Sequence, residues 1–184
     1  MTDLKALDLH FANLVSQDDK IRYPSFKTVL EITEERVDWI YDKWDVLVNK
    51  LSSDNSFQRS IGMMLIANLC KSDSEGRICE IIDRLLALTE DEKFITSRLC
   101  LQNIWKTAVQ HSDLTKKVSK FLESTYFGNK HLNSHANLIK QDVFSSLANI
   151  YKHTKNADTL TAMNDIYDTE TDEKVKKVLK KMMK

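Results

Sequence analysis

The chain has 184 residues, 42% of them apolar and 29% charged, which excludes intrinsic disorder and gives ample length for a buried core. Its 27 basic residues offset 27 acidic ones, so no net field draws it toward nucleic acid or a membrane surface. Only three glycines and one proline occur, which excludes a turn-rich β architecture and favours helices joined by short polar connections.

Apolar residues recur at helical spacing almost from end to end. Ten helices follow in chain order, over about 3–16, 20–34, 36–51, 56–71, 75–89, 92–110, 113–126, 133–154, 157–168 and 172–183. Pro24 should delay or bend the second of these. The fourth carries Phe57, Ile61, Met63, Met64, Leu65, Ile66, Leu69 and Cys70 all round its axis, as a buried helix must. The last sets six lysines around Val175, Val178, Leu179, Met182 and Met183, the pattern of a solvated end cap. Short side chains at Ser52 to Asn55, Asp73-Ser74, Thr89 to Asp91, Gly128-Asn129 and Thr169 to Asp172 supply caps at the joints.

A turn signature, Asp/Asn-x-x-apolar, repeats at Asp18–Ile21, Asp54–Phe57, Asp91–Phe94, Asn129–Leu132 and Asp172–Val175, at intervals of 36, 37, 38 and 43 residues. A second signature closes the same helices: Ala67-Asn68-Leu69-Cys70-Lys71, Gln102-Asn103-Ile104-Trp105-Lys106 and Ala148-Asn149-Ile150-Tyr151-Lys152. Two signatures in phase, at a period near forty, mark hairpins that share a core by stacking.

The turn Asp18-x-x-Ile21-Arg22 resembles the inter-helix turn of a HEAT repeat, and the closing Ala-Asn-Leu resembles the third helix of an armadillo repeat. The likeness spans nearly the whole chain. It departs from the pattern after the turn, where Gln58, Ile95 and Lys176 stand in place of the arginine. It implies an all-α, right-handed α-α superhelix, a HEAT-like solenoid of five antiparallel pairs forming a single domain over residues 1–184. It also implies that the second helix of each pair lines a concave surface.

Those second helices carry Lys20, Arg22, Lys27, Arg59, Lys71, Lys93, Arg98, Lys106, Lys140 and Lys152 with few acids, whereas first helices lean acidic through Asp158, Asp165 and Asp168. The inner wall is thus expected to be mildly basic. Asn103 with Lys106, and Asn149 with Lys152, are three apart and share a helix face, so each helix can present an amide beside an ammonium. Asn68 and Lys71 repeat the spacing among more apolar neighbours. Armadillo peptide-binding proteins use such an asparagine array, but the tryptophan they place four residues earlier is here Met64, Leu99 or Ser145.

Other polar and aromatic residues read as structural. Trp105 falls in the apolar sector of its helix and reads as core, Trp44 as partly exposed, and Arg98 as paired internally with a residue such as Asp91. His131 and His135 have helical spacing but no further metal ligands nearby. Cys70, Cys79 and Cys100 form no metal or CxxC pattern, which suggests a reduced cytoplasmic setting. The opening residues are too polar for a signal peptide, and the longest apolar run, Ile61 to Ala67, cannot span a bilayer. No phosphate loop, nucleophile elbow or zinc motif occurs, so neither a catalytic residue nor a cofactor or metal is expected. The expected function is a non-catalytic scaffold that docks an acidic protein or extended peptide segment on the basic wall. The alternative is nucleic-acid binding, in a fold like that of the HEAT-like DNA alkylation-repair glycosylases.

Overall fold

The computed structural model describes residues 4–183, which are helical with no strand among them. The helices are α1 (Leu4–Asn13), α2 (Asp19–Ile32), α3 (Ile40–Lys50), α4 (Ser56–Leu69), α5 (Ile78–Leu88), α6 (Phe94–Asn103), α7 (Trp105–Gln110), α8 (Ser112–Gly128), α9 (Leu132–Thr154), α10 (Ala157–Thr169) and α11 (Glu173–Met182). Ile104, between α6 and α7, keeps α-helical backbone angles, and taking these two segments as one gives ten helices. No described helix is long and apolar enough to cross a membrane. The described residues fall into two compact units that part between Glu75 and Gly76. Gly76 has φ +71°, a left-handed conformation that glycine adopts without steric cost.

The recurring Asp and Asn residues close the turns between helices, and Asp18, Asn55 and Asp172 stand at the N-cap itself. Asp18, Asn55, Asp91, Asn129 and Asp172 each accept a hydrogen bond on Oδ1 from the backbone N–H two residues on, at 2.8, 2.9, 2.8, 2.9 and 2.8 Å. Each bond satisfies a donor that the start of a helix leaves free. The second cap is therefore Asn55 and not Asp54. With that shift, Arg59 stands four residues after Asn55, as Arg22 does after Asp18 and Lys176 after Asp172. All three reach back six residues: Arg22 and Arg59 donate to the carbonyls of Ser16 and Ser53 at 2.7 Å, and Lys176 to that of Glu170 at 3.5 Å.

In the first unit α1 packs on α2, α3 on α4, and α2 on α4. Ten of the fourteen residues of α4 are buried, as its all-round apolarity requires. The α3 and α4 backbones approach closely at Gly62, where a Cβ would lie 2.9 Å from Lys50 Cβ and 3.1 Å from the Leu47 carbonyl. Lys50 is itself buried, and burial pushes its ammonium below the usual lysine range. It donates to Gln58 Oε1 at 2.5 Å, and Gln58 Nε2 donates to the Leu14 carbonyl at 2.7 Å. Helix α2 begins at Asp19 and runs through Pro24, so the expected late start does not occur. Helix α3 starts at Ile40, four residues later than its periodicity suggests, because Trp39 sits at the cap position with its ring buried against Phe11.

In the second unit α5 pairs with α6, α8 with α9 and α10 with α11. Helix α8 also touches α5 and α10, while α9 touches α6, α7 and α11. Leu101, Ile104, Leu122, Val143, Phe144, Leu147, Ile150 and Ile166 are fully buried between them. A polar knot sits inside this packing. Glu170 accepts hydrogen bonds from the Tyr126 hydroxyl and, at 2.7 Å, from Lys140 Nζ, and its side chain is only 2% exposed. Burial, the largest single influence, pushes the Glu170 carboxyl upward. Hydrogen bonds from Lys140, Tyr126 and the Asp172 backbone, with the lysine charge, exceed it and hold the pKa at about 2. Burial and the bond to Glu170 together raise the Tyr126 hydroxyl.

That depression sets the sign of an acid response. The folded pKa lies below the ordinary 4.5, so the carboxylate's contribution is complete above about 4.5 and is lost as pH falls toward 2. Urea titrations between pH 2 and 7 should show this loss, of the order of 3 kcal/mol at most. Glu170→Gln should be less stable than wild type at pH 7 and should lack that part of the acid dependence.

Candidate binding surface

Helices α6 and α7 run alongside α9 in a common direction, and side-chain contacts fix the register. Phe94 stacks on His135 with ring centroids 3.8 Å apart, Arg98 and Gln102 both bind Asp142, and Trp105 stacks on His153 at 5.3 Å. Contacts thus climb both helices together, joining residues about forty to fifty apart in sequence.

Arg98 grips Asp142 through two bonds, Nε to Oδ2 at 2.5 Å and Nη2 to Oδ1 at 3.1 Å, and Gln102 Nε2 adds a third at 2.9 Å. The hydrogen bond that Arg98 donates to Asp142 is the main influence raising the guanidinium pKa. The internal partner is therefore Asp142 and not Asp91, whose carboxylate caps the turn before α6. Other cations of the expected basic wall are committed in the same way. Arg22 pairs with Asp19 and Lys140 with Glu170.

Of the residues nominated as a binding surface, two lie in the first unit. Asn68 is 5% exposed and donates to Thr33 Oγ1 at 3.2 Å and the Leu30 carbonyl at 3.4 Å. Lys71, in a 3₁₀ turn after α4, donates to the Glu34 carbonyl at 2.5 Å. The other four lie in the second unit, on α6, α7 and α9. Asn103 is 9% exposed, with Nδ2 given to the Leu99 carbonyl at 2.9 Å and Oδ1 taken by Lys106 Nζ at 2.7 Å. Its amide holds the Lys106 ammonium in place. Asn149 is half-buried and Lys152 exposed, and their side chains make no hydrogen bond or ion pair among the described residues.

The tryptophans invert their expected roles. Trp39 and Trp44 are buried in the first unit, while Trp105 is half-buried at the surface of the second. The Trp105 Nε1 donates to the Gln102 carbonyl at 3.1 Å, its ring stacks on His153, and the Lys106 ammonium lies 6.0 Å from its centroid. His153 is oriented by Nδ1, which lies 2.8 Å from the Asn149 carbonyl. Trp105, Lys106, Asn149, Lys152 and His153 thus form one aromatic and basic patch. Helical periodicity places Trp105 in the core and gives His153 no role, so the Trp105–His153 half is not evident from sequence. The two signatures align Trp105 with Tyr151, so the spacing carries no signal for His153.

His131 and His135 are occupied in packing. The ring of His131 lies 2.7 Å from the Asp91 carbonyl through Nε2, and both histidines contact the Phe94 ring. His135 has φ −140° and ψ 33°, a break in the helical backbone of α9. Among the described residues no group of three or more His, Cys, Asp or Glu side chains is placed to hold a metal.

Comparison with known proteins adds little. No protein-family model matches the chain, and no curated protein matches it. Among solved structures, the crystal structure of an engineered protein aligns with all of this chain and 96% of its own, at 19% identity and a TM-score of 0.42. That level of similarity assigns neither a repeat family nor a function.

The two classes of polar residue should separate on substitution. Asp142→Ala strands Arg98 and should cost about 2–3 kcal/mol in urea unfolding. Lys152→Ala should stay within about 0.5 kcal/mol of wild type.

Proposed function

We propose that this chain is a non-catalytic, HEAT-like repeat module, with hairpins stacked in the right-handed sense, that docks an acidic protein or peptide segment on its second helices. The observation that carries this reading is the patch made by Trp105, Lys106, Asn149, Lys152 and His153. Elsewhere on those helices Arg22, Arg98 and Lys140 are paired with carboxylates, and Arg59 and Lys71 donate to backbone carbonyls. Here an ammonium and an amide face solvent beside a flat aromatic pair. An amide can donate to and accept from a peptide backbone, the lysines attract carboxylates, and the indole and imidazole supply apolar contact at little entropic cost.

The same pattern argues against nucleic-acid binding as the main role. Phosphate recognition draws on many uncommitted Lys and Arg side chains, and Arg22, Arg98 and Lys140 are each held by a carboxylate.

Charge reversal tests the reading. A fluorescein-labelled Glu-rich 12-mer should bind the protein in low salt, and Lys106→Glu with Lys152→Glu should weaken it by roughly tenfold or more. Unchanged affinity in the double variant would sink the proposal. Tight binding of a 20-base-pair duplex, with an affinity falling steeply in salt, would instead establish the nucleic-acid reading.

A further inference from the structure

The patch is one end of a longer seam, and its other end is apolar. Ile95 on α6 is 62% exposed and Leu138 on α9 is 40% exposed, both large apolar side chains facing solvent. The Phe94–His135 stack lies just before them and the Arg98–Asp142 pair just after, so the two side chains stand level across the seam. Between the two ends lie Arg98, Gln102 and Asp142, which satisfy one another and leave no uncompensated charge. The seam therefore reads, along its length, as apolar, neutral, then basic and aromatic.

Geometry turns this order into a ruler. Ile95 and Lys106 are eleven residues apart, which at 1.5 Å per residue is about 16 Å, and Leu138 to Asn149 gives the same span. An extended peptide covers 3.3 to 3.4 Å per residue, so about five residues bridge that distance.

We infer that the seam recognises a bipartite extended segment, in which an apolar side chain and an acidic pair are separated by about five residues. The apolar side chain covers Ile95 and Leu138, and the acidic pair meets Lys106 and Lys152. Charge complementarity at one end and apolar cover at the other select the same ligand, and the fixed spacing excludes segments that carry both features at the wrong distance. The inference rests on the acidic-segment reading above and adds to it an anchor, a spacing and a limit on length.

The test uses labelled Ser/Gly-based peptides carrying one Leu and one Asp-Asp pair, with the two separated by two, five or eight residues, in both orders. In one order the five-residue spacing should bind about tenfold more tightly than either other spacing. Ile95→Ser with Leu138→Ser, both exposed positions whose change leaves the core intact, should remove that advantage while an acid-only peptide binds as before. Lys152→Glu should weaken every peptide. Acidic peptides that bind equally at all spacings, with no effect of Ile95→Ser and Leu138→Ser, would overturn the inference and leave the acidic-segment reading standing. If none of the peptides binds, both fail.

Discussion

One short hydrogen bond, made five times, governs how this chain is laid out. Each Asp or Asn at a turn accepts from the backbone two residues on, at 2.8 or 2.9 Å, and so closes the turn that leads into the following helix. A helix that starts at a set residue presents its faces in a set rotation, because successive residues turn by a constant angle. Between α6 and α9 the register is held further along, where Arg98 and Gln102 both bind Asp142.

The polar residues divide into those that hold the hairpins together and those left facing solvent. Asn68, Asn103, Gln58, Asn129 and Glu170 all lie at positions that are at most 9% exposed, and their side chains hydrogen-bond neighbouring backbone or side-chain groups. Burying such groups without partners is costly, so their presence makes one arrangement of neighbours far better than the others. Lys152 and Asn149 differ only in what surrounds them. Under the proposed function, the binding surface is what the internal network leaves over, which residue type alone does not reveal.

The helices were legible because amphipathic periodicity and caps agree along nearly the whole chain. The finer wiring was less so, for identifiable reasons. Asp54 and Asn55 are adjacent and both suit a cap, and composition does not choose between them. That slip of one residue hid the equivalence of Arg59 with Arg22. Proximity in sequence pairs Arg98 with an acid seven residues away, although the spacing of the turn signatures points about forty residues on, to Asp142. Trp105 looked like core on a helical wheel because an indole counts as apolar, yet its N–H finds a carbonyl and its face finds an imidazole at the surface. The opposite error at Trp44 has the same origin: a wheel gives direction but not what lies there.

Several cross-hairpin bonds join residues nearly one period apart, as Asn129 does with the Thr89 carbonyl and Ser119 with Thr159. Each closes a loop of about the same size, and the entropy lost in closing a loop depends only weakly on its length. A helix emerging from the ribosome can therefore bond to a segment made about forty residues earlier, without waiting for distant sequence. Short-range closure of this kind keeps unpaired apolar faces exposed for the shortest stretch of synthesis.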